Sequence, residues 1–436
     1  MADVVEIIPL DRPLDAVARV PGSKSMTNRA LILAALVDGP VTIAHALTSD
    51  DTDRMVDCLQ RLGFDVSSDS ATETMSVVGL GRRIPAARAD LMVGASGTCA
   101  RFLTALVGLG SGVYTIDGVP RMRERPIEPL LAAIRDLGAR ATSVNGTGCP
   151  PARVSGGPMR GGEATMDASI SSQFVSALLM VAPVTERGVT LRLTGAIVSR
   201  PYIDMTLRQM GRAGATAEWR GESEIVVPGG QRYRAGSWEM ESDASNASYF
   251  FAAAAILGGT VRVPALPADS IQGDLRFLEV LERIGAVVTR EGDTVTVRGP
   301  TELRGIDVDA NAFPDVAQTI AAIAPFASGP TTVRNVASMR VKETDRVAAV
   351  VAELRRLGQD VEEGPDWFRV SPRPIRPATI KTYDDHRMAM AFSLIGLRAP
   401  GVRIADPGCV AKTFPGYFDA LRSLGVTVRE LDTART

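Results

Sequence analysis

Residues 127–143 read Ile127-Glu128-Pro129-Leu130-Leu131-Ala132-Ala133-Ile134-Arg135-Asp136-Leu137-Gly138-Ala139-Arg140-Ala141-Thr142-Ser143. Ile127, Leu130, Leu131, Ile134 and Leu137 recur at helical spacing, which predicts an amphipathic helix ending at Leu137. Gly138 then takes the position just past the helix, where positive φ favours a residue without Cβ. The same grammar recurs along the chain, closing at Gly63, Gly138, Gly214, Gly285, Gly358 and Gly425, with spacings of 75, 76, 71, 73 and 67 residues. After each glycine comes a β-type run, such as Ala286-Val287-Val288 or Val426-Thr427-Val428.

Each repeat also holds an earlier, more apolar helix. These are predicted to begin near Ser25, Gly97, Ser171, Ala244, Asp315 and Asp385. Two helices and several short strands, six times over, make an α/β repeat architecture. Units of ~70 residues are too long for the common helical solenoids. A count of six, with two helices per unit, does not fit an eightfold βα barrel. Three repeats precede residue 240 and three follow it, so two similar halves are the natural division.

Composition narrows the function. The chain has 436 residues, 45% hydrophobic and 22% charged, enough for two or three domains. Forty-eight Lys+Arg against fifty Asp+Glu leave a net charge of -2, without the basic footprint of a general nucleic-acid binder. No apolar run approaches the ~18 residues that span a bilayer. The first ten residues carry two acids and no positive region, so no signal peptide is expected. Cys58, Cys99, Cys149 and Cys409 are scattered, and His45 and His386 are the two histidines. Neither a zinc site nor a disulfide framework is expected, and a reducing cytoplasm fits.

Polar clusters stand where the first helices begin. They include Ser23-Lys24-Ser25 with Arg29, Gly94-Ala95-Ser96-Gly97-Thr98 with Arg101, Ser171-Ser172-Gln173, Asp243-Ala244-Ser245-Asn246, Pro314-Asp315 and Asp384-Asp385-His386-Arg387. Helix N-termini offer unpaired N–H groups and partial positive charge to an anion. Capping is the plainer use of such residues, and it is the expected one in the fourth and fifth repeats. For Ser-Lys-Ser with Arg29 an anion is expected. A P-loop is excluded, because Ala18 and Ser23 stand where its glycines belong.

Further cations cluster at the second helices. Arg121, Arg123 and Arg125 precede Pro126, a residue suited to a helix's first turn. Lys342 and Arg346 share a helical face if that helix has begun, with a repulsion of ~0.2–0.5 kcal/mol for Asp345, solvent or an anion to offset. Lys412 lies in a similar run, Ala411 to Pro415. Of the 48 basic residues four are lysine, and three of these (Lys24, Lys342, Lys412) lie in such clusters, whereas Lys381 reads as solvated surface. One strongly anionic ligand, or two, is implied.

Nine stretches in order, PGSKSMTNRALILAAL, RMRERPIEPL, SSQFVSALLM, RPYIDMTL, DASNASYF, SIQGDLRF, RVKETDR, DDHRMAMAFSL and AKTFPGYF, span Pro21 to Phe418. Together they resemble the 5-enolpyruvylshikimate-3-phosphate synthase family of enolpyruvyl transferases, in the class that includes glyphosate-sensitive bacterial and plant enzymes. The resemblance implies two similar domains of three βαβαββ units each (an inside-out α/β barrel), divided as 1–22 plus 243–436 and 23–242, with the active site in the cleft between them. It implies transfer of the enolpyruvyl group of phosphoenolpyruvate to the 5-hydroxyl of shikimate 3-phosphate through a tetrahedral intermediate. No metal or organic cofactor, nucleic acid or membrane is expected, a monomer is expected, and glyphosate is the expected inhibitor.

Carried over by motif, Lys24, Ser25, Arg29, Ser171, Ser172, Gln173, Ser199, Tyr202, Asp315 and Lys342 would bind shikimate 3-phosphate. Phosphoenolpyruvate would fall to Lys24, Gly97, Arg125, Gln173, Arg346, Arg387 and Lys412. Asp315 would handle the 5-hydroxyl proton, Glu343 would protonate the methylene carbon, and Lys24 would assist. The chain departs from the family pattern at Ala95 and Ser96, around Ser338-Met339, at Asp384 and at Phe102. These departures bear on affinity and glyphosate response, which is expected to be ordinary to moderate because Gly97 is retained. The rival readings are UDP-N-acetylglucosamine enolpyruvyl transferase, whose family relies on a loop cysteine for which Cys99 is the nearby candidate, and a non-catalytic repeat protein with an anion-binding groove.

Overall fold

The computed structural model describes residues 3–431. All six glycines that close the repeats have left-handed backbones, with φ between 86° and 112°. The grammar read from residues 127–143 therefore holds in every repeat. The strands form six separate four-stranded sheets, one per repeat, each left open at its edges rather than closed into a barrel. Within a sheet the first two strands run parallel, and the other pairings are antiparallel, as in Arg88–Met92 with Val113–Asp117 and then Ala152–Ser155.

Repeats two, three and five draw their four strands from one stretch of chain. The other three do not. Asp15–Val17 lies just before the first repeat's helix, Lys24–Ala35, yet pairs with Thr260–Val263 of the fourth repeat. Gly236–Glu239 lies just before the fourth repeat's helix, Ala244–Leu257, yet pairs with Asp38–Ala44 of the first. The two repeats have exchanged their leading strands. Val4–Ile7 completes the sixth sheet between Val402–Ala405 and Val428–Leu431. That last strand ends at Leu431, with the described residues.

Of the described residues, those up to Pro21 and from Glu241 onward make one compact unit, and Gly22–Met240 make the other. We call them the outer and the inner unit, after their place in the chain. In each, the first helices of the three repeats pack on one another: Lys24–Ala35, Gly97–Val107 and Ser172–Val181 in the inner unit, Ala244–Leu257, Ala317–Ile323 and His386–Gly396 in the outer. Beyond their polar starts, where Arg29 and Arg101 are themselves buried, these helices are mostly apolar and are buried on every face. The second helices, such as Asp50–Arg61, keep one charged face in water. No helix among the described residues is long and apolar enough to cross a membrane.

Contacts between first turns show that the three central helices of a unit start at the same end. In the inner unit, Gln173 donates to Thr98 at 3.4 Å, and Arg29 donates to Ser176 at 3.2 Å. In the outer unit, Ser248 and Thr319 share a 3.0 Å hydrogen bond, and Arg387 lies 3.4 Å from the Tyr249 hydroxyl. Each unit thereby gathers three helix N-termini, and their polar clusters, at one end.

Candidate active site

The inner unit brings together Lys24, Ser25, Arg29, Gly97, Arg125, Ser171, Ser172, Gln173, Ser199 and Tyr202, at the starts of its helices and in the turn before Pro126. Ser23 precedes the first helix without capping it, and its hydroxyl is buried without a partner. The leading N–H groups of that helix are therefore not consumed by a side chain. Lys24 lies 3.6 Å from Asp51. Ser96 and Ser171, by contrast, do cap, accepting from the backbone N–H groups of Cys99 and Gln173. Ser199 sits at φ +54°, a left-handed conformation that a serine adopts at a cost.

Arg29 is buried, and its guanidinium is braced inside the unit. Nε donates to Thr206 at 2.7 Å, Nη1 to the Ser25 carbonyl at 2.9 Å, and Nη2 to Ser176 and the Tyr202 carbonyl, both at 3.2 Å. Phe102 supplies a ring 5.2 Å from the same guanidinium. Burial lowers the Arg29 pKa to about 10, still charged at neutral pH.

Arg125 is held differently. It is 6% exposed, and its Nη1 donates to the Ala95 carbonyl at 3.1 Å, while its Nε is buried without a partner. Its guanidinium lies against Gly97: a Cβ on Gly97 would sit 2.5 Å from Nη2. Arg101, buried beneath, donates to the Gly97 carbonyl at 3.3 Å and to the Pro126 carbonyl at 2.7 Å, tying the two turns together. Pro126 itself precedes the helix Glu128–Asp136, whose first-turn proline is Pro129; the three arginines lie in or just after the short turn Pro120–Glu124. An extended X-Pro step ends that turn before the helix starts.

The outer unit brings together Asp315, Lys342, Glu343, Arg346 and Arg387. Helix Arg346–Arg356 begins at Arg346, so Lys342 lies outside it and the expected shared helical face does not form. The two cations meet through Asp315 instead. Lys342 and Asp315 form a direct ion pair, and Asp315 also accepts from Arg346 at 3.2 Å and from Arg387 at 3.1 Å. Asp315 is therefore not a helix cap, contrary to the expectation for the fifth repeat, because three cations claim its carboxylate. Asp345 caps the other helix of this repeat, Arg346–Arg356, accepting from Ala348, and pairs with Arg340 rather than offsetting Lys342. Burial pushes the Lys342 ammonium below the usual lysine range, against the pull of Asp315.

Arg346 is the hub. It is 1% exposed and reaches three carboxylates: Asp315, Glu343 at 2.9 Å, and Asp385 at 2.7 Å through Nε. Burial opposes its charge, but Asp385, Glu343 and Asp315 together hold it above the ordinary arginine value. Asp385 also caps the sixth repeat's helix, accepting from the Arg387 N–H at 2.9 Å. The sequence places Asp385 at a helix start but carries no sign of its pairing with Arg346. Lys412 ends the short turn Pro407–Lys412 and is buried. Cys99 is fully buried on its helix, its thiol donating to the Asp51 carbonyl at 3.1 Å. Lys381 is exposed, as expected.

Chemically, each unit presents cations and helix N-termini suited to anions, and the outer unit adds two carboxylates that can move protons. Comparison with known proteins identifies the family. The profile of a family described as EPSP synthase (3-phosphoshikimate 1-carboxyvinyltransferase) matches residues 10–421. A 3-phosphoshikimate 1-carboxyvinyltransferase of Nostoc punctiforme is 49% identical over 95% of this chain and 98% of its own. The chloroplastic protein of that name from Petunia hybrida is 46% identical over 94% of this chain and 83% of its own. In fold, EPSP synthase from Acinetobacter baumannii superposes with a TM-score of 0.81 at 23% identity, covering 98% of this chain and 99% of that one. On residues, geometry and relatives alike, the chain belongs to the EPSP synthase family.

Proposed function

We propose that this protein is the transferase that moves the enolpyruvyl group of phosphoenolpyruvate to the 5-hydroxyl of shikimate 3-phosphate, a step of aromatic amino acid biosynthesis. Asp315 takes the 5-hydroxyl proton as that oxygen bonds to the central carbon of phosphoenolpyruvate. Glu343 delivers a proton to the methylene carbon, which makes the central carbon electrophilic. Loss of a proton from the new methyl group then expels phosphate from the tetrahedral intermediate. The steps are proton transfers and C–O bond exchange, with no redox change.

The observation that carries this reading is the shared guanidinium. Asp315 and Glu343 both bind Arg346, so the base and the acid are held within reach of one rigid, buried cation. Lys342 and Arg387 complete the positive surroundings, which favour phosphate and carboxylate ligands and the charge that develops on departing phosphate. From the inner unit, Lys24, Ser25, Arg29, Ser171, Ser172, Gln173, Ser199 and Tyr202 serve shikimate 3-phosphate. Lys24, Gly97, Arg125 and Gln173 serve phosphoenolpyruvate, with Arg346, Arg387 and Lys412 from the outer unit. Glyphosate competes for that second set. The protein acts as a monomer in the cytoplasm.

The test is phosphate release. It should require shikimate 3-phosphate and phosphoenolpyruvate together. Release with UDP-N-acetylglucosamine in place of shikimate 3-phosphate overturns the acceptor. The buried Cys99 thiol, bonded to a backbone carbonyl, weighs against that rival.

Gly97→Ala tests the donor site. The new methyl would lie 2.5 Å from Arg125 Nη2 and 2.9 Å from its Cζ, so the guanidinium must move in a buried slot. Disturbing one charge-assisted contact should raise KM for phosphoenolpyruvate about tenfold. KM for shikimate 3-phosphate should stay put and glyphosate inhibition should weaken. An unchanged donor KM removes Arg125 from the site.

A further inference from the structure

Glu353 is a carboxylate with no solvent exposure, on the same helix as Arg346 and seven residues later, hence on the same face. A carboxylate buried so deeply is retained where it is paired and hydrogen-bonded. One oxygen accepts from Arg356 Nε at 2.9 Å and from the Lys381 backbone N–H at 3.1 Å. The other accepts from the Tyr383 hydroxyl at 2.8 Å. Two of its three partners therefore belong to the segment that leads into Asp385 and Arg387.

That segment is strained. Tyr383 and Asp384 both have left-handed backbones, at φ +57° and +54°, and neither is glycine. Consecutive residues in this region persist only where the surroundings over-determine them. Here the helix Arg346–Arg356 clasps the segment at two points: Arg346 binds Asp385, and Glu353 binds Lys381 and Tyr383. Tyr383 is 39% exposed, so burying apolar area is not its main use. Partial burial, with the hydrogen bond to Glu353, pushes the phenol up to about 12, so at neutral pH it stays a donor.

We propose that Glu353 and Tyr383 are positioning residues for phosphoenolpyruvate, holding the strained turn so that Asp385 fixes Arg346 and Arg387 keeps the orientation in which it grips the donor. The proposal rests on the function given above. Both residues lie away from the acid–base pair; they act through the two arginines.

The test uses the full chain and steady-state phosphate release. Tyr383→Phe, which removes a single oxygen, should raise KM for phosphoenolpyruvate about tenfold, as expected for losing a hydrogen bond to a charged group. KM for shikimate 3-phosphate should change by less than about twofold, and Tm should fall by no more than a few degrees. Adding Asp384→Gly to Tyr383→Phe should bring the donor KM back toward wild type, because glycine takes the left-handed turn without a clamp. Glu353→Gln should act in the same direction as Tyr383→Phe. An unchanged donor KM in Tyr383→Phe, or both KM values rising together with a large loss of Tm, assigns the pair to the fold alone and overturns the proposal. An inactive wild-type protein would instead refute the function, so the two failures are distinct.

Discussion

Glu343→Gln should lower kcat by about 10²–10⁴-fold while the protein folds normally. Glutamine has the same shape, and its carbonyl oxygen can still accept from Arg346, which holds Glu343 at 2.9 Å. What it lacks is the proton that must reach carbon. Proton transfer to carbon has an intrinsic barrier that hydrogen bonding does not remove, so the loss should fall on kcat and leave both KM values near wild type. Asp315→Ala should lose activity to a similar degree, for a second reason besides the missing base. Lys342, Arg346 and Arg387 all converge on this carboxylate, and its removal leaves three cations facing one another. Stopped-time phosphate assays with both substrates saturating read these effects. Less than a tenfold fall in Glu343→Gln would give carbon protonation to another group.

The second large effect is on stability. Arg346→Met should destabilise the protein by about 3–5 kcal/mol, the range for breaking a buried ion pair from one side. Methionine matches much of the volume but leaves Asp385 with no solvent exposure and without its main counter-charge. Glu343 and Asp315 lose a partner in the same step. Arg346→Lys should recover little of this, because an ammonium cannot span three carboxylates as a planar fork does. Urea unfolding compares the variants, and a change below about 1 kcal/mol would mean that Asp385 finds another partner.

Much of this was legible along the chain. The six closing glycines are local signals: a helix end that needs positive φ asks for glycine whatever surrounds it. The all-round apolar helices announced their burial by composition, and the polar residues at their starts announced the sites. Its local position makes Asp315 look like a cap, since an acid before a helix normally serves its N–H groups; the motif resemblance, not that local logic, points to a proton-handling role. Glu353 gave no signal, because an acid inside an amphipathic helix reads as part of a wet face. Its role appears only when Tyr383, thirty residues away, is found bonded to it.

The amino-acid order by itself determined six α/β repeats, their helix boundaries to within a few residues, and the family. Tertiary structure decided the strand pairings within each sheet and which distant charges meet. Asp15–Val17 and Gly236–Glu239 each stand before a helix, and hydrogen bonding along a strand edge does not depend on sequence neighbourhood; each therefore pairs in the repeat that the other one precedes. Likewise Arg346 finds Asp315 and Asp385 through packing, because charge attraction acts through space and a motif records only separation along the chain.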